Sequence, residues 1–184
     1  MKRKQNISKY RGSWRAACYK FIFLIPIKVY ILTGLWNTPH IDPKRKNYAD
    51  FKSTYQLMKY LIILFFLGTE IMTLLIASGV IVNRPIFIQI MVSLLFILIG
   101  NVMGRFKHNY FVGIRTPWTL ANEDVWRKTH RLAGPLWVFG GIINILLAFT
   151  GTNFKGIGFM AIIVVISIVP IVYSYIVYQQ VVKN

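Results

Sequence analysis

Four stretches of this chain, residues 60–82, 86–103, 132–150 and 157–178, are apolar almost without interruption. A helix needs about 20 such residues to cross a bilayer, and the second and third stretches sit near the lower limit. No other feature constrains the fold as strongly. The expected class is all-α, a polytopic bundle of membrane-spanning helices. Asn83-Arg84-Pro85 joins the first two stretches and Gly151-Thr152-Asn153-Phe154-Lys155-Gly156 joins the last two. Connections this short make each pair antiparallel neighbours.

The charge confirms that reading. Hydrophobic residues make up 55% of the 184, yet the formal net charge is +17. A soluble nucleic-acid binder spreads its Lys and Arg over a half-polar surface. Here they gather between the apolar blocks, so direct nucleic-acid binding is not expected. Lys44, Arg45, Lys46 and Lys52 precede the first stretch, and Arg105, Lys107, Arg115, Arg127, Lys128 and Arg131 fill the loop 104–131. The two hairpins hold only Arg84 and Lys155. The excess of positive charge places the central loop and the C-terminus in the cytoplasm, and the hairpins outside.

A fifth hydrophobic segment, 21–36 (FIFLIPIKVYILTGLW), is short and carries Lys28 at its centre beside Pro26. A central Lys costs about 2.5–3.5 kcal/mol on insertion scales. The segment can cross with Lys28 snorkelling, or lie in the interface. A crossing would put Lys2, Arg3, Lys4, Lys9, Arg11, Arg15 and Lys20 of the basic segment 1–20 outside, against the charge rule. Both alternatives stand at this point. The single cysteine, Cys18, makes an internal disulfide impossible. No cleavable secretory signal is expected in the basic, polar-interrupted start.

The loop 104–131 is the patterned region. In ANEDVWRKTHRLAG, Asn122 can cap a helix with Glu123 and Asp124 in its first turn and Arg127, Lys128, His130 and Arg131 later, as the helix dipole prefers. Val125, Trp126, Thr129, Leu132 and Ala133 share a stripe, so this short amphipathic helix lies on the membrane surface or runs into the next span. Ahead of it stands NYFVGIRTPWTL. Gly113 implies a backbone conformation that other residues avoid, and Pro117 an extended Thr116. Tyr110, Phe111 and Trp118 suit the headgroup level. Arg115 has three open roles: binding lipid phosphate, pairing with Glu123 or Asp124, or touching a partner.

The run GNVMGRFKHNYFVGIRTPWTLANEDVWRKTHRLAGPLWVFGG resembles the SdpI family of bacterial membrane proteins, with GIRTPWTL and VWRKTHRLAG as its core. PHIDPKRKNYADFKSTYQLMKY is similar to the segment before the third helix of longer members. The resemblance covers 21–184, the expected membrane domain. It implies immunity to a secreted antimicrobial peptide toxin, and signalling in which a transcriptional repressor is held at the membrane. It also implies that 21–36 corresponds to the second of six helices and crosses; the first helix and its external loop have no clear counterpart here. The residues carried over are Gly100, Asn101, Asn109, Phe111, Gly113, Ile114, Arg115, Thr116, Pro117, Trp118, Thr119, Leu120, Trp126, Thr129, His130, Arg131 and Gly134. Among these, Asn109, Phe111, Gly113, Arg115, Thr116, Pro117, Trp118, Trp126, His130 and Arg131 are the candidates for contact with toxin or partner.

Little points to an enzyme, a metal or a cofactor. His40, His108 and His130 lack metal-ligand spacing, and His130 reads as a helix-end cation or a hydrogen-bonding residue. Glu70 is the one carboxylate inside a span and hence a functional candidate, with Lys59 eleven residues away on the same helix. A small transporter or ion-conducting bundle using Glu70 is the alternative function. Gly140 and Gly141 suggest close helix contact, and Asn144 an interhelical hydrogen bond.

Overall fold

The computed structural model describes residues 29–183 apart from 32, 35, 79, 81–82 and 151–154. The basic segment 1–20, Cys18, the first half of 21–36 and most of the second hairpin lie outside the described residues. A 3₁₀ turn, Arg45–Ala49, leads into α1 (Lys52–Ala77) and α2 (Arg84–Met103), followed by the short α3 (Pro117–Ala121), α4 (Glu123–Ala148) and α5 (Lys155–Lys183). Helical turns also occupy 29–31, 33–34 and 36–41. Among the described residues, four helices, α1, α2, α4 and α5, are long and apolar enough to cross a membrane.

Each of these helices outruns, at one end or both, the apolar stretch that announced it. α1 begins at Lys52 rather than residue 60, because Thr54, Tyr55 and Met58 are buried against the loop end of the bundle and prolong the helix beyond its greasy part. It stops at Ala77, short of residue 82. The amphipathic helix and the third stretch are one element. From its Asn122 cap, α4 runs unbroken through Pro135 to Ala148, and no surface helix separates from the span. Asn83 caps α2 by accepting from the Ile86 N–H, with Pro85 in the first turn, as a tight hairpin requires.

The bundle wears its apolar side chains outward: Leu64, Ile71, Phe139, Leu146, Val165 and Ile168 are all exposed. Lipid is their solvent, so helix association here rests on packing rather than on escape from water. Accordingly the α2–α4 seam is built from small residues. A Cβ on Gly100 would stand 2.8 Å from the Gly134 carbonyl oxygen, and one on Gly141 2.8 Å from that of Ser93. A Cβ on Gly140 would meet the side chain of Ile166 on α5, 2.5 Å from its Cγ2. Pro170 has no N–H to give the Ile166 carbonyl one turn earlier, and Trp137 Nε1 of α4 donates to that oxygen at 3.0 Å. Gln89 Nε2 reaches across the seam to the Asn144 backbone carbonyl at 2.9 Å. The interhelical bond expected of Asn144 thus uses its main chain; its buried amide group makes none among the described residues.

The hydrophobic core proper lies at one end. Tyr48, Phe51, Tyr55, Met58, Val102, Met103, Phe106, Val112, Trp126 and Ala133 form one buried cluster beneath the loop 104–116. The loop is thereby seated on an aromatic floor, with Phe51 edge-on to both Tyr55 and Phe106.

Candidate functional site

Asn109 organises the start of the loop. Fully buried, it accepts from the Phe111 and Val112 N–H groups through Oδ1, at 2.9 and 2.7 Å, and donates through Nδ2 to the Lys107 carbonyl at 2.8 Å. A short amide that bonds its own backbone in this way closes a turn that no regular element could supply. Four residues on, Gly113 adopts φ +109°, the conformation its presence predicted.

That turn aims the Ile114 N–H at His130. The Ile114 N–H donates to His130 Nε2 at 3.0 Å, and His130 Nδ1 faces the Trp126 carbonyl at 2.9 Å. A carbonyl can only accept and an N–H only donate, so the ring is the neutral tautomer with its proton on Nδ1. His130 is therefore no helix-end cation: it is buried within α4 and holds the loop by hydrogen bonding. Its ring stacks on Trp126 at 4.1 Å, and Trp126 Nε1 donates to the Phe106 carbonyl at 2.9 Å. The buried face of α4 thus reads Val125, Trp126, Thr129, His130, Ala133: it keeps the expected stripe except that His130 joins it and Leu132 is only half-buried.

The second half of the loop folds into α3. Thr116 is extended, as the following proline demands, and forms a capping box with Thr119. Pro117 occupies the first turn, where its missing N–H costs nothing. Thr116 Oγ1 and Trp118 Nε1 both meet Ser174 Oγ of α5, and the Trp118 ring lies edge-on to Tyr175. The motif is consequently fastened to α4 at one end and to α5 at the other.

A third anchor comes from the polar segment before α1. Asp42, 2% exposed, accepts from the Lys44 N–H, the Tyr48 hydroxyl and the Tyr110 N–H. Burial, and then the Asp42 carboxylate, push the Tyr48 phenol above its ordinary range. Asn47 Nδ2 donates to the His108 carbonyl at 2.7 Å, and Lys44 Nζ donates to His108 Nδ1.

His108 is itself buried, and burial, followed by the nearby Lys44 ammonium, lowers its pKa below the usual value. The folded chain therefore keeps this ring neutral while an unfolded chain takes up a proton near pH 6.5. Its stabilising contribution is complete above that pH and is lost as pH falls below it. The melting midpoint in detergent is expected to be lower at pH 5.5 than at pH 7.5, and His108→Gln to narrow the gap. An equal pH response in the two proteins would show that another group dominates.

The remaining candidates divide by exposure. Gly113, Arg115, Pro117 and Arg131 face solvent, Phe111 and Trp118 are half-buried, and Asn109, Thr116, Trp126 and His130 are buried. Arg115 Nη1 donates to the Tyr110 carbonyl at 2.8 Å, which spreads the guanidinium over the loop surface. It does not pair with Asp124, whose carboxylate bonds Arg127 at 2.8 Å. Next to the loop, a cleft of about 800 Å³ is lined by Asp50, Arg105, His108, Glu123, Asp124 and Arg127, among others. Glu70 is half-buried well inside α1, about 27 Å along the helix from its loop end at 1.5 Å per residue, and is no part of this assembly. Among the described residues, no group of three or more His, Cys, Asp or Glu side chains is placed to hold a metal.

Asp42, His108 and Ser174 escaped selection from the sequence. A lone acid inside a basic run was the available signal for Asp42. Nothing marked Ser174, which lies far along the chain from the loop that it secures.

Residues 105–174 match the model of the SdpI/YfhL protein family. Over 133 residues, 71% of its length, the chain is 38% identical to "Immunity protein SdpI" of Bacillus subtilis (strain 168). It belongs to the SdpI family. The chain spans 61% of that relative's length, and no solved structure matches it. The stretch matched by the SdpI family model opens at the loop and ends at Ser174, the residue gripped by Thr116 and Trp118. The part of the chain matched by the SdpI family model therefore holds the loop, α3, α4 and α5 up to that serine.

Proposed function

We propose that this chain is a multi-pass immunity protein of the bacterial cell membrane, which gives its host resistance to a secreted antimicrobial peptide. The identity to a protein named for immunity carries the reading. On the charge distribution the loop and C-terminus are cytoplasmic. The buried members of the motif build the surface and the exposed ones present it. Arg115, Pro117 and Arg131, with Arg127 and Lys128 on the outer side of α4, form a basic cytoplasmic face suited to holding an acidic patch of a transcriptional repressor.

Expression of the full chain in a bacterium killed by a secreted peptide toxin is expected to raise survival. Arg115→Ala is expected to remove the response of a repressor-controlled reporter while changing stability by no more than about 0.5 kcal/mol, since the side chain is exposed. Trp118→Ala combines loss of response with a looser loop, because it also vacates Ser174. If both variants match wild type in survival and reporter output, the loop has no role in recognition.

A further inference from the structure

Pro170 sits inside α5, and its place on the helix matters as much as its missing N–H. Ile166, Pro170, Ser174 and Val177 are all buried, at helical spacing, so one face of α5 turns them toward the bundle. The proline ring crowds the Ile166 carbonyl one turn earlier. Relief of that crowding opens the bundle-facing side. A bend here therefore swings the part of α5 after Pro170 outward, away from α3 and α4.

Two clamps straddle this point. Before it, Trp137 Nε1 of α4 donates to the Ile166 carbonyl at 3.0 Å, and the Trp137 ring lies edge-on to Phe96 of α2. After it, Ser174 Oγ meets Thr116 Oγ1 and Trp118 Nε1, and Tyr175 lies against the Trp118 ring. Other ties of the loop do not involve α5: His130 holds Ile114, Asp42 holds Tyr110 and Asn47 holds His108. An outward swing of α5 frees the Thr116–Trp118 end while leaving those ties in place.

We propose that Trp137 latches a proline hinge in α5, and that the hinge, when open, releases the Thr116–Trp118 end of the loop. Without the Trp137 N–H, the Ile166 carbonyl is stranded in apolar surroundings, where an unpaired carbonyl is costly. The next backbone donor beyond Pro170 is the Ile171 N–H, reached through a local π-turn that rotates the residues after it, Ser174 among them. Trp137 is thus a positioning residue that acts on the loop through α5. The inference rests on the signalling reading above in one respect: the hinge is the route by which a shift of the outer half of α5 reaches the cytoplasmic face.

The test uses the full chain in bacterial membranes, with Cys18→Ser as background and a reporter thiol at Val177→Cys, buried beyond the hinge. Trp137→Phe keeps an aromatic ring and removes the N–H; it should speed modification of that thiol by a small maleimide about tenfold. Pro170→Ala restores a backbone N–H for the Ile166 carbonyl, so Pro170→Ala/Trp137→Phe should return the rate to within about threefold of the background. A thiol at Val125→Cys, buried on α4, should keep its rate in Trp137→Phe. No acceleration at position 177, the same acceleration with Pro170→Ala present, or equal acceleration at position 125 each overturns the latch. Should Trp137→Phe fail to accumulate, recovery by Pro170→Ala reads the same coupling, and no recovery overturns it. Under toxin challenge, Pro170→Ala should abolish the change in a repressor-controlled reporter while the thiol at position 177 stays protected; an unchanged response overturns the hinge as a signalling route. A wild-type chain with no toxin response would refute the signalling reading, and the labelling rates would still decide the latch.

Discussion

Gly113→Ala is expected to destabilise the folded protein by about 3 kcal/mol, through two independent faults. At φ +109° a side chain strains the backbone whatever space surrounds it. Here there is no space either: the new Cβ would fall on His130 Nε2, with Trp126 Cη2 only 3.2 Å away. His130 cannot step aside, because it is stacked on Trp126 and bonded to its carbonyl. The loop must therefore lift, and the Ile114 N–H loses its acceptor. Titration with a denaturing detergent, followed by tryptophan fluorescence, should show an earlier transition. In a His130→Ala background the collision with the ring is gone and the backbone strain is left, so Gly113→Ala should cost less there than it does in the wild type. A Gly113→Ala transition coincident with wild type would mean that the loop relaxes freely, and the three-point anchoring described above would be wrong.

Gly100→Ala should have an effect of similar size for a different reason, about 2–3 kcal/mol from overpacking a seam that cannot open locally. The added methyl would meet the Gly134 carbonyl oxygen at 2.8 Å, Trp137 Cβ at 3.0 Å and the Val138 nitrogen at 3.1 Å. Two of these atoms are backbone and the third is the first atom of a side chain, so no rotamer change clears the way. Helices α2 and α4 must separate over several residues, with loss of contact at Gly141 and Ser93. Gly104→Ala is the control. It lies four residues on, has φ −67° and meets nothing within 4 Å. A helix-compatible position gains a little from alanine, so its stability should be equal or slightly higher. Equal behaviour of the two variants in the same denaturation assay would remove the close-packed seam from the account.

How much of this was legible beforehand differs between the bundle and its loop. The four long helices were visible as apolar runs, although their ends were not. Apolar length reports the bilayer, while α1 and α5 continue into polar surroundings that satisfy a helix equally well. The Asn122 cap and the buried stripe of α4 were readable because capping and helical periodicity involve residues close together in the chain. Gly113 and Thr116 were readable for the same reason. The fusion of the amphipathic helix with the third span was open, since both outcomes use the same local pattern. His130 shows the limit: the sequence left it between a helix-end cation and a hydrogen-bonding residue, and neither its burial nor its charge state was visible. That depended on an N–H sixteen residues earlier being turned toward it.

Apolar length, loop charge and local capping are properties of neighbours in sequence, and they determined that this is a helical membrane protein with a built, basic loop between its spans. Tertiary structure alone decided that Asp42 and Lys44 reach the loop at Tyr110 and His108, and that Ser174 anchors Thr116 and Trp118. It also decided that the α2 and α4 backbones touch at Gly100 and Gly134. Each of those contacts joins residues more than thirty positions apart. Their energies depend on distances of a few ångströms, which exist only once the helices have packed.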